Sequence, residues 1–300
     1  MKVHSTETSG RRKAAEAAGL DCAAAFQKIA LDCVASIKAH HTNACAGDAE
    51  AVHQIRVAIT RLRAAVAFFA PIVVDAEWLR LKKEIAWLNG LLGAARDSDV
   101  VVEYARRKRY CTWAQRMIGE QLDKNQTRDH RRLARCLRSV RTQRLLAALA
   151  GWIRQGTWLE RYRRSKDAEP LQAYCTRELN RWHERLARKG RHLKTAGESR
   201  RHQLRIKAKR FRYMIEALTE TVDLWGRSEL LHLQRPAKRL QRVLGDLRDL
   251  ERFAGLARGS PQAENGRRGK QHPPGYPNRR KKLLDAAIVA HRDLKHARAC

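Results

Sequence analysis

The stretch His53-Gln-Ile-Arg-Val-Ala-Ile-Thr-Arg-Leu-Arg63 occurs a second time, with changes, as His202-Gln-Leu-Arg-Ile-Lys-Ala-Lys-Arg-Phe-Arg212. In both copies a histidine is followed by arginines three, eight and ten residues later. Matched positions lie 149 residues apart, from 53 to 202. An internal repeat of this kind usually marks two related structural units. The repeat therefore predicts a duplicated fold in which each half carries one copy.

Each copy has the spacing of an amphipathic helix, with one cationic and one apolar face at about 100° per residue. The cationic faces carry His53, Arg56, Thr60 and Arg63 in the first copy and His202, Arg205, Lys209 and Arg212 in the second, with Arg61 and Arg210 beside them. The apolar faces carry Ile55, Ile59, Leu62, Val66 and Phe69, and Leu204, Phe211, Ile215 and Leu218. Exposed charged faces usually contain interspersed acids, and here only Glu216 interrupts them. The pattern favours a shared anion site over two solvated surfaces.

The overall charge points to a polyanionic partner. The chain has 63 Lys plus Arg against 31 Asp plus Glu, a formal charge of +32. Nucleic acid, an acidic membrane and inorganic polyphosphate all fit such an excess, and charge alone does not distinguish them. The seven cysteines form no Cys-x-x-Cys pair, and the first twelve residues lack the apolar segment of a signal peptide. These features predict a soluble cytoplasmic protein with reduced thiols, no bound metal or cofactor and no membrane partner.

Hydrophobic periodicity predicts an all-α chain, with no convincing strand pattern. The expected helices are about 14–42, a first basic helix that Asp48 caps and that ends near 69, then 78–92, 97–122, 127–152, 171–188, 199–224, 228–244, 250–258 and 280–297. We expect a flexible N-terminus at 1–13, a first helical half at 14–156 and a second at 157–300. The second half contains a Gly- and Pro-rich stretch at 259–278, predicted to be a flexible loop.

A second motif is also duplicated, at a spacing of 152 residues from Arg96 to Arg248. Leu91-Leu-Gly-Ala-Ala-Arg-Asp-Ser-Asp99 matches Val243-Leu-Gly-Asp-Leu-Arg-Asp-Leu-Glu251. Glycine followed by aspartate is typical of a helix end and the cap of the next helix, so we expect helices to stop at the two glycines. Arg96 and Arg248 would lie at these junctions, where each could reach a ligand or pair with a nearby carboxylate.

Together, the two motifs resemble the CHAD family, the conserved histidine α-helical domain. The matching residues are His53-x-x-Arg56 with Arg61-x-Arg63, Leu92-Gly93-x-x-Arg96-Asp97-x-Asp99, His202-x-x-Arg205 with Lys209-Arg210-x-Arg212-Tyr213, and Lys238-x-Leu240-Gln241-x-x-Leu244-Gly245. The resemblance implies two antiparallel four-helix bundles related by a pseudo-twofold axis. It also implies a central basic channel or groove that binds inorganic polyphosphate, and an association with polyphosphate granules. Thr60 and Ala86 stand where Lys209 and Lys238 stand in the second half, so the first-half site should be less cationic.

This resemblance predicts non-catalytic polyphosphate binding. The expected ligand residues are His53, Arg56, Arg61, Arg63, Arg96, His202, Arg205, Lys209, Arg210, Arg212, Lys238 and Arg248. Because histidines beside phosphate gain protons, we expect the affinity to rise as the pH falls through about 6.5.

Two other functions remain open from the residues alone. Non-specific nucleic-acid binding fits the charge, but it usually needs aromatic platforms, and only Tyr213 borders a basic face. Phosphoanhydride hydrolysis would need clustered carboxylates around a metal, and Asp97, Asp99 and Asp249 are among the few suggestive acids. The arginine stripe 128–138 lies outside both repeats, and we expect it to face water.

Overall fold

Asp48 begins the first basic helix, as predicted, because its carboxylate accepts hydrogen bonds from the backbone N–H groups of Glu50 and Ala51. The computed structural model describes residues 20–107, 111–165, 169–222, 230–258 and 272–297. Its helices are α1 Cys22–Cys45, α2 Ala49–Phe68, α3 Ala70–Val73, α4 Ala76–Arg106, α5 Cys111–Leu137, α6 Val140–Gln155, α7 Thr157–Arg164, α8 Leu171–Lys189, α9 Glu198–Ala217, α10 Leu231–Arg258 and α11 Tyr276–His296. A π-helical turn, Leu218–Val222, follows α9. In the part of the chain that the structure describes there is no β-strand, so the all-α prediction is confirmed.

The two basic helices bury the apolar faces that their spacing predicts. Ile55 and Leu62 of α2 and Phe211 of α9 are at most 1% exposed. Phe68, at the end of α2, packs edge-to-face against Trp182 of α8 with ring centroids 5.4 Å apart. One hydrophobic cluster contains residues of both repeats, so a common core holds α2 and α9 in fixed positions.

The helices of the two halves make contacts in the same order. In the first half α1 packs on α2, α2 on α4, α4 on α5, and α5 on α1. In the second half α8 packs on α9, α9 on α10, α10 on α11, and α11 on α8. The two sets meet where α2 contacts α9 and α4 contacts α10. The duplicated motifs therefore lie on the four helices that join the halves. The pseudo-twofold axis, the central channel and the boundary at 156–157 remain predictions.

Several predicted boundaries are wrong. Gly93 lies inside α4 and Gly245 inside α10, so neither glycine ends a helix. The predicted helix 127–152 is instead divided at Ser139, whose side chain accepts from the Thr142 N–H and caps α6. Residues 276–278 of the predicted loop belong to α11. Residues 1–13 and 259–271 lie outside the described residues.

Candidate anion-binding site

The cationic faces of α2 and α9 approach each other and form one cluster. Burial lowers the pKa of Arg56 of α2. The nearby Asp97 raises it, and the charges of Arg205 of α9 and of Arg96 lower it. Burial, then Arg205 and Arg56, lowers the pKa of Lys209 from 10.5 to about 7. Residues from both repeats therefore share one partly buried cationic environment.

Each motif arginine lies against the motif glycine of its own half. A Cβ atom built on Gly93 would lie 3.1 Å from Nη1 of Arg56, and one built on Gly245 would lie 3.3 Å from Nε of Arg205. The missing side chains let each guanidinium pack against the backbone of α4 or α10. This close approach explains why glycine occurs at both positions inside a continuous helix.

The two motif aspartates belong to this cluster and are not helix caps. Both lie inside long helices, where a capping role is impossible. Asp97 forms an ion pair of 2.5 Å with Arg252 of α10. Burial raises the pKa of Asp249, the nearby Arg205 lowers it, and the neighbouring acids Asp246 and Asp97 raise it further. The prediction that these aspartates cap helices is therefore wrong, and they offset part of the arginine charge instead.

The two motif histidines border the same cluster. Burial, followed by the charge of Arg96, lowers the pKa of His53, so His53 is mainly neutral near pH 7. In the second half, Nδ1 of His202 and Nε of Arg205 are buried and have no hydrogen-bond partner within the described part of the protein. Buried polar atoms normally have a partner, so the ligand-free protein leaves these two atoms of the site unsatisfied.

Two predicted ligand residues are already engaged with a carboxylate, and a third is exposed. Arg61 donates to Glu216 over 3.3 Å and Arg212 donates to the same carboxylate over 2.7 Å. Arg212 also donates from Nε to Gln241 over 2.7 Å. Glu216 is 6% exposed, so this group joins the two basic helices from the inside. Lys238 is exposed on α10.

The remaining predicted residues divide between two places. Arg96 and Arg248 lie close enough to His53 and Asp249, respectively, to influence their pKa values, which places both beside the central cluster. Burial and the charge of Arg63 lower the pKa of Arg210, so these two cations, on α2 and α9, lie near each other. We define the central cluster as His53, Arg56, Arg96, His202, Arg205, Lys209, Arg248 and Arg252.

Arg252 is a member of the central cluster that the sequence pattern does not indicate. It lies four residues after Arg248, so the two share a face once α10 is continuous. The expectation of a helix break at Gly245 conceals this relation. An unbroken helix through residues 231–258 places both arginines on the cationic side.

Tyr213, the aromatic residue that borders the second basic face, is not presented to solvent. Tyr213 is 4% exposed, and its ring lies beneath Arg212 and Arg61, whose guanidinium carbons are 4.3 and 5.3 Å from the ring centroid. Tyr213 therefore does not have the free face that base stacking needs. The stripe formed by Arg128, Arg131, Arg135 and Arg138 is exposed, as expected.

Comparison with known proteins agrees with this geometry. A family model described as the CHAD domain matches residues 28–258, which is most of the chain. This chain belongs to the CHAD domain family. Its structure is similar to the crystal structure of the CHAD domain from the plant Ricinus communis, with a TM-score of 0.71, 26% identity and 94% of each chain covered. It also resembles PptA from Streptomyces chartreusis, with a TM-score of 0.61, 15% identity, and 93% of this chain and 99% of that chain covered. No curated protein matches the chain.

The described helices of this CHAD protein carry neither a membrane span nor a metal cluster. None of these helices has both the length and the apolar composition that crossing a bilayer requires. Among the described residues there is also no group of three or more His, Cys, Asp or Glu side chains arranged to hold a metal ion.

Proposed function

We propose that this CHAD protein binds inorganic polyphosphate without cleaving it, through the central cluster where α2 and α9 meet. The observation that carries the proposal is the partly buried pooling of Arg56, Arg205 and Lys209, in which the pKa values of Arg56 and Lys209 are lowered. Cations held this close repel one another until an anion enters between them. The CHAD family is associated with polyphosphate binding, which supports the same ligand.

The ligand chemistry follows from the charge and shape of the two partners. A linear polyphosphate carries closely spaced negative charges and a layer of condensed cations, which binding to Arg and Lys releases. The planar guanidinium can grip two phosphate oxygens, whereas lysine acts as a compact charge. The arginines Arg56 and Arg205 are packed against glycine backbone, and this fixes their orientation before the ligand arrives.

Nucleic-acid binding is the second candidate, and it has less support. Its sequence-tolerant forms combine cations with aromatic platforms. Tyr213, the one aromatic residue that borders the basic faces, is covered by arginines. The same charge still permits loose binding to DNA at low salt.

Hydrolysis of phosphoanhydride bonds is the least supported candidate. A metal-dependent mechanism would place carboxylates around a divalent cation. Asp97 is instead paired with Arg252, and Asp249 lies beside Arg205 as well as beside the acids Asp246 and Asp97. Among the described residues these acids do not form a group arranged to hold a metal ion. We accordingly propose a binding role in the cytoplasm, on polyphosphate granules where these occur.

A pull-down on immobilised polyphosphate across a salt series tests the proposal. We expect Arg56→Ala/Arg205→Ala to weaken binding and to reduce the salt slope, by roughly 0.7 for each phosphate group that is no longer neutralised. The matched control Arg128→Ala/Arg131→Ala removes two exposed arginines outside the cluster and should leave binding nearly unchanged. Because Arg212 is held by Glu216, Arg63→Ala/Arg212→Ala should have a smaller effect than Arg56→Ala/Arg205→Ala. Preferential competition by DNA at matched phosphate concentration would overturn the choice of ligand.

A further inference from the structure

Two pockets of this protein occupy equivalent places in the two repeats. One lies between α1 and α2, and the other lies between α8 and α9. Cys33, Ser36, Ala58 and Arg61 of the first pocket correspond, 149 residues further on, to Trp182, Arg185, Lys207 and Arg210 of the second. The buried residues of α1 and α8 show the same offset of 149. Cys175, Leu179 and Leu186 of α8 are buried, as are their α1 counterparts Phe26, Ala30 and Ile37.

The charge of the two pockets is opposite. The first pocket is lined by one cation, Arg61, and by two acids, Asp32 and Glu220. The second is lined by Arg185, Lys207 and Arg210, and none of the described residues that line it is acidic. The counterpart of Asp32 is Arg181, and Lys189 contacts Lys207 from the same helix as Arg185. The two halves therefore share the position of the pocket but differ in its charge, which is strongly positive in the second half.

An arginine that lines the second pocket also lacks the carboxylate partner that its counterpart in the first pocket has. In the first half Arg61 reaches Glu216, which is shared with Arg212. The equivalent positions of these three residues are Arg210, Ala67 and Arg63. Arg210 and Arg63 are therefore brought together without the acid that stabilises the matching pair, and Ala67 lines a cavity of about 200 Å³ at that place.

We propose that this cavity, bounded by Ala67, Trp182, Arg185, Lys207 and Arg210, is a second anion site that binds a compact diphosphate group. Three lining cations exceed what one carboxylate would neutralise, whereas a diphosphate carries several charges in a small volume. In this proposal the bound diphosphate lies at the place equivalent to that of the Glu216 carboxylate in the other half. The side chains that form it lie on a different face of α9 from His202, Arg205 and Lys209, so the site is separate from the central cluster.

The burial and charge of the lysine in this cavity support the proposal. Burial, followed by contact with Lys189, lowers the pKa of Lys207 to about 8. A bound diphosphate would reverse that effect by favouring the ammonium form. The partly buried indole of Trp182 forms one wall of the cavity and offers a local reporter of binding.

Titration of ¹⁵N-labelled protein with inorganic pyrophosphate tests the site through the indole N–H signal of Trp182. The protein has seven tryptophans, and Trp182→Phe assigns the relevant signal. We expect a saturable shift of this signal. Arg185→Ala/Lys207→Ala should weaken it by tenfold or more, while Arg188→Ala/Arg200→Ala, which removes exposed arginines of the same two helices, should leave it unchanged. A second titration with long-chain polyphosphate distinguishes free diphosphate from the end of a chain.

Two further variants separate this site from the central cluster. Arg56→Ala/Arg205→Ala disrupts the central cluster but should retain the Trp182 shift. The second site can therefore be confirmed even if the central cluster does not bind polyphosphate. Ala67→Glu supplies the missing carboxylate, and we expect it to abolish the shift and to raise Tm. The inference is overturned if Trp182 does not respond to pyrophosphate, if its response survives Arg185→Ala/Lys207→Ala, or if Arg56→Ala/Arg205→Ala eliminates it.

Discussion

Lys209 is a residue of the central cluster at which the two repeats differ. Thr60 stands at the matching place, and its hydroxyl donates to the Arg56 carbonyl oxygen of its own helix over 2.8 Å. Lys209 instead brings an ammonium group close to Arg205, Arg56 and Arg212. The first repeat therefore contributes guanidinium groups but no lysine to the cluster. The second repeat adds Lys209, whose ammonium charge the ligand-free protein disfavours.

Replacing Lys209 should increase stability and weaken ligand binding. The unfolded chain holds the lysine proton up to a pKa of about 10.5, whereas the empty folded protein releases it near 7. Between these values the unfolded chain binds more protons, so this group makes stability rise with pH and lowers it at pH 7 and below. We expect Lys209→Met to raise Tm at pH 6.5 by about 2–4 °C, the shift that 1 kcal/mol gives in large domains, and to weaken polyphosphate binding. Thermal unfolding and binding measurements check both effects.

The matched control is Lys282→Met, which removes an exposed lysine of α11 and should change neither property.

The pH profile of binding gives a second readout of Lys209. Polyphosphate favours the charged form of Lys209 and so raises its pKa above the value of about 7 in the empty protein. Affinity should therefore rise as the pH falls towards about 7 and level off below it, and Lys209→Met should remove this part of the profile. The double variant His53→Ala/His202→Ala should flatten the part at lower pH, because the pKa of His53 in the empty protein is already lowered. An increase in affinity with rising pH would contradict this account.

At the scale of the helices, α4 and α10 show where reasoning from sequence succeeds and where it fails. The apolar and cationic faces of α2 and α9 are predictable because 3.6-residue periodicity depends only on local spacing. Gly93 and Gly245 are wrongly predicted to end helices because glycine before an Arg-Asp pair also fits a helix end followed by a cap. The deciding contacts come from Arg56 and Arg205 on other helices, and no local pattern contains them.

Gly93 and Gly90 permit a test within a single helix. Both lie in α4, but a Cβ at Gly90 would meet nothing within 4 Å, whereas a Cβ at Gly93 would lie 3.1 Å from Arg56 Nη1. Alanine favours a helix over glycine by about 1 kcal/mol, so Gly90→Ala should raise Tm and leave polyphosphate affinity unchanged. Gly93→Ala should displace the guanidinium and lower affinity by on the order of tenfold, the equivalent of one charge-assisted contact. Equal affinities for the two variants would show that the position of Arg56 does not matter for binding.

At the scale of the whole molecule, the two halves share buried core positions and differ in the distribution of charge. Buried positions of α1 and α8 match at a constant offset, a relation that the burial in the structure shows. Ala67 stands at the position equivalent to Glu216. The effect of this difference can be understood only from the structure, in which Arg61 reaches Glu216 and Arg210 lies beside Ala67 in the opposite repeat. The sequence therefore predicts which surfaces are basic, while three-dimensional contacts determine which cations are neutralised.

The net charge of +32 makes a further prediction about salt. Self-repulsion destabilises a compact protein with such an excess, and sodium chloride screens it with a Debye length of about 8 Å at 0.15 M. We therefore expect Tm of the ligand-free protein to rise between about 0.05 and 0.5 M salt. Saturating polyphosphate stabilises only the folded state, and salt weakens that binding, so the difference in Tm between bound and free protein should shrink over the same range. Differential scanning calorimetry of both forms measures these opposite trends. A ligand-free Tm that falls with salt would mean that ion pairs such as Arg201–Glu251 at 2.7 Å outweigh repulsion among the excess cations.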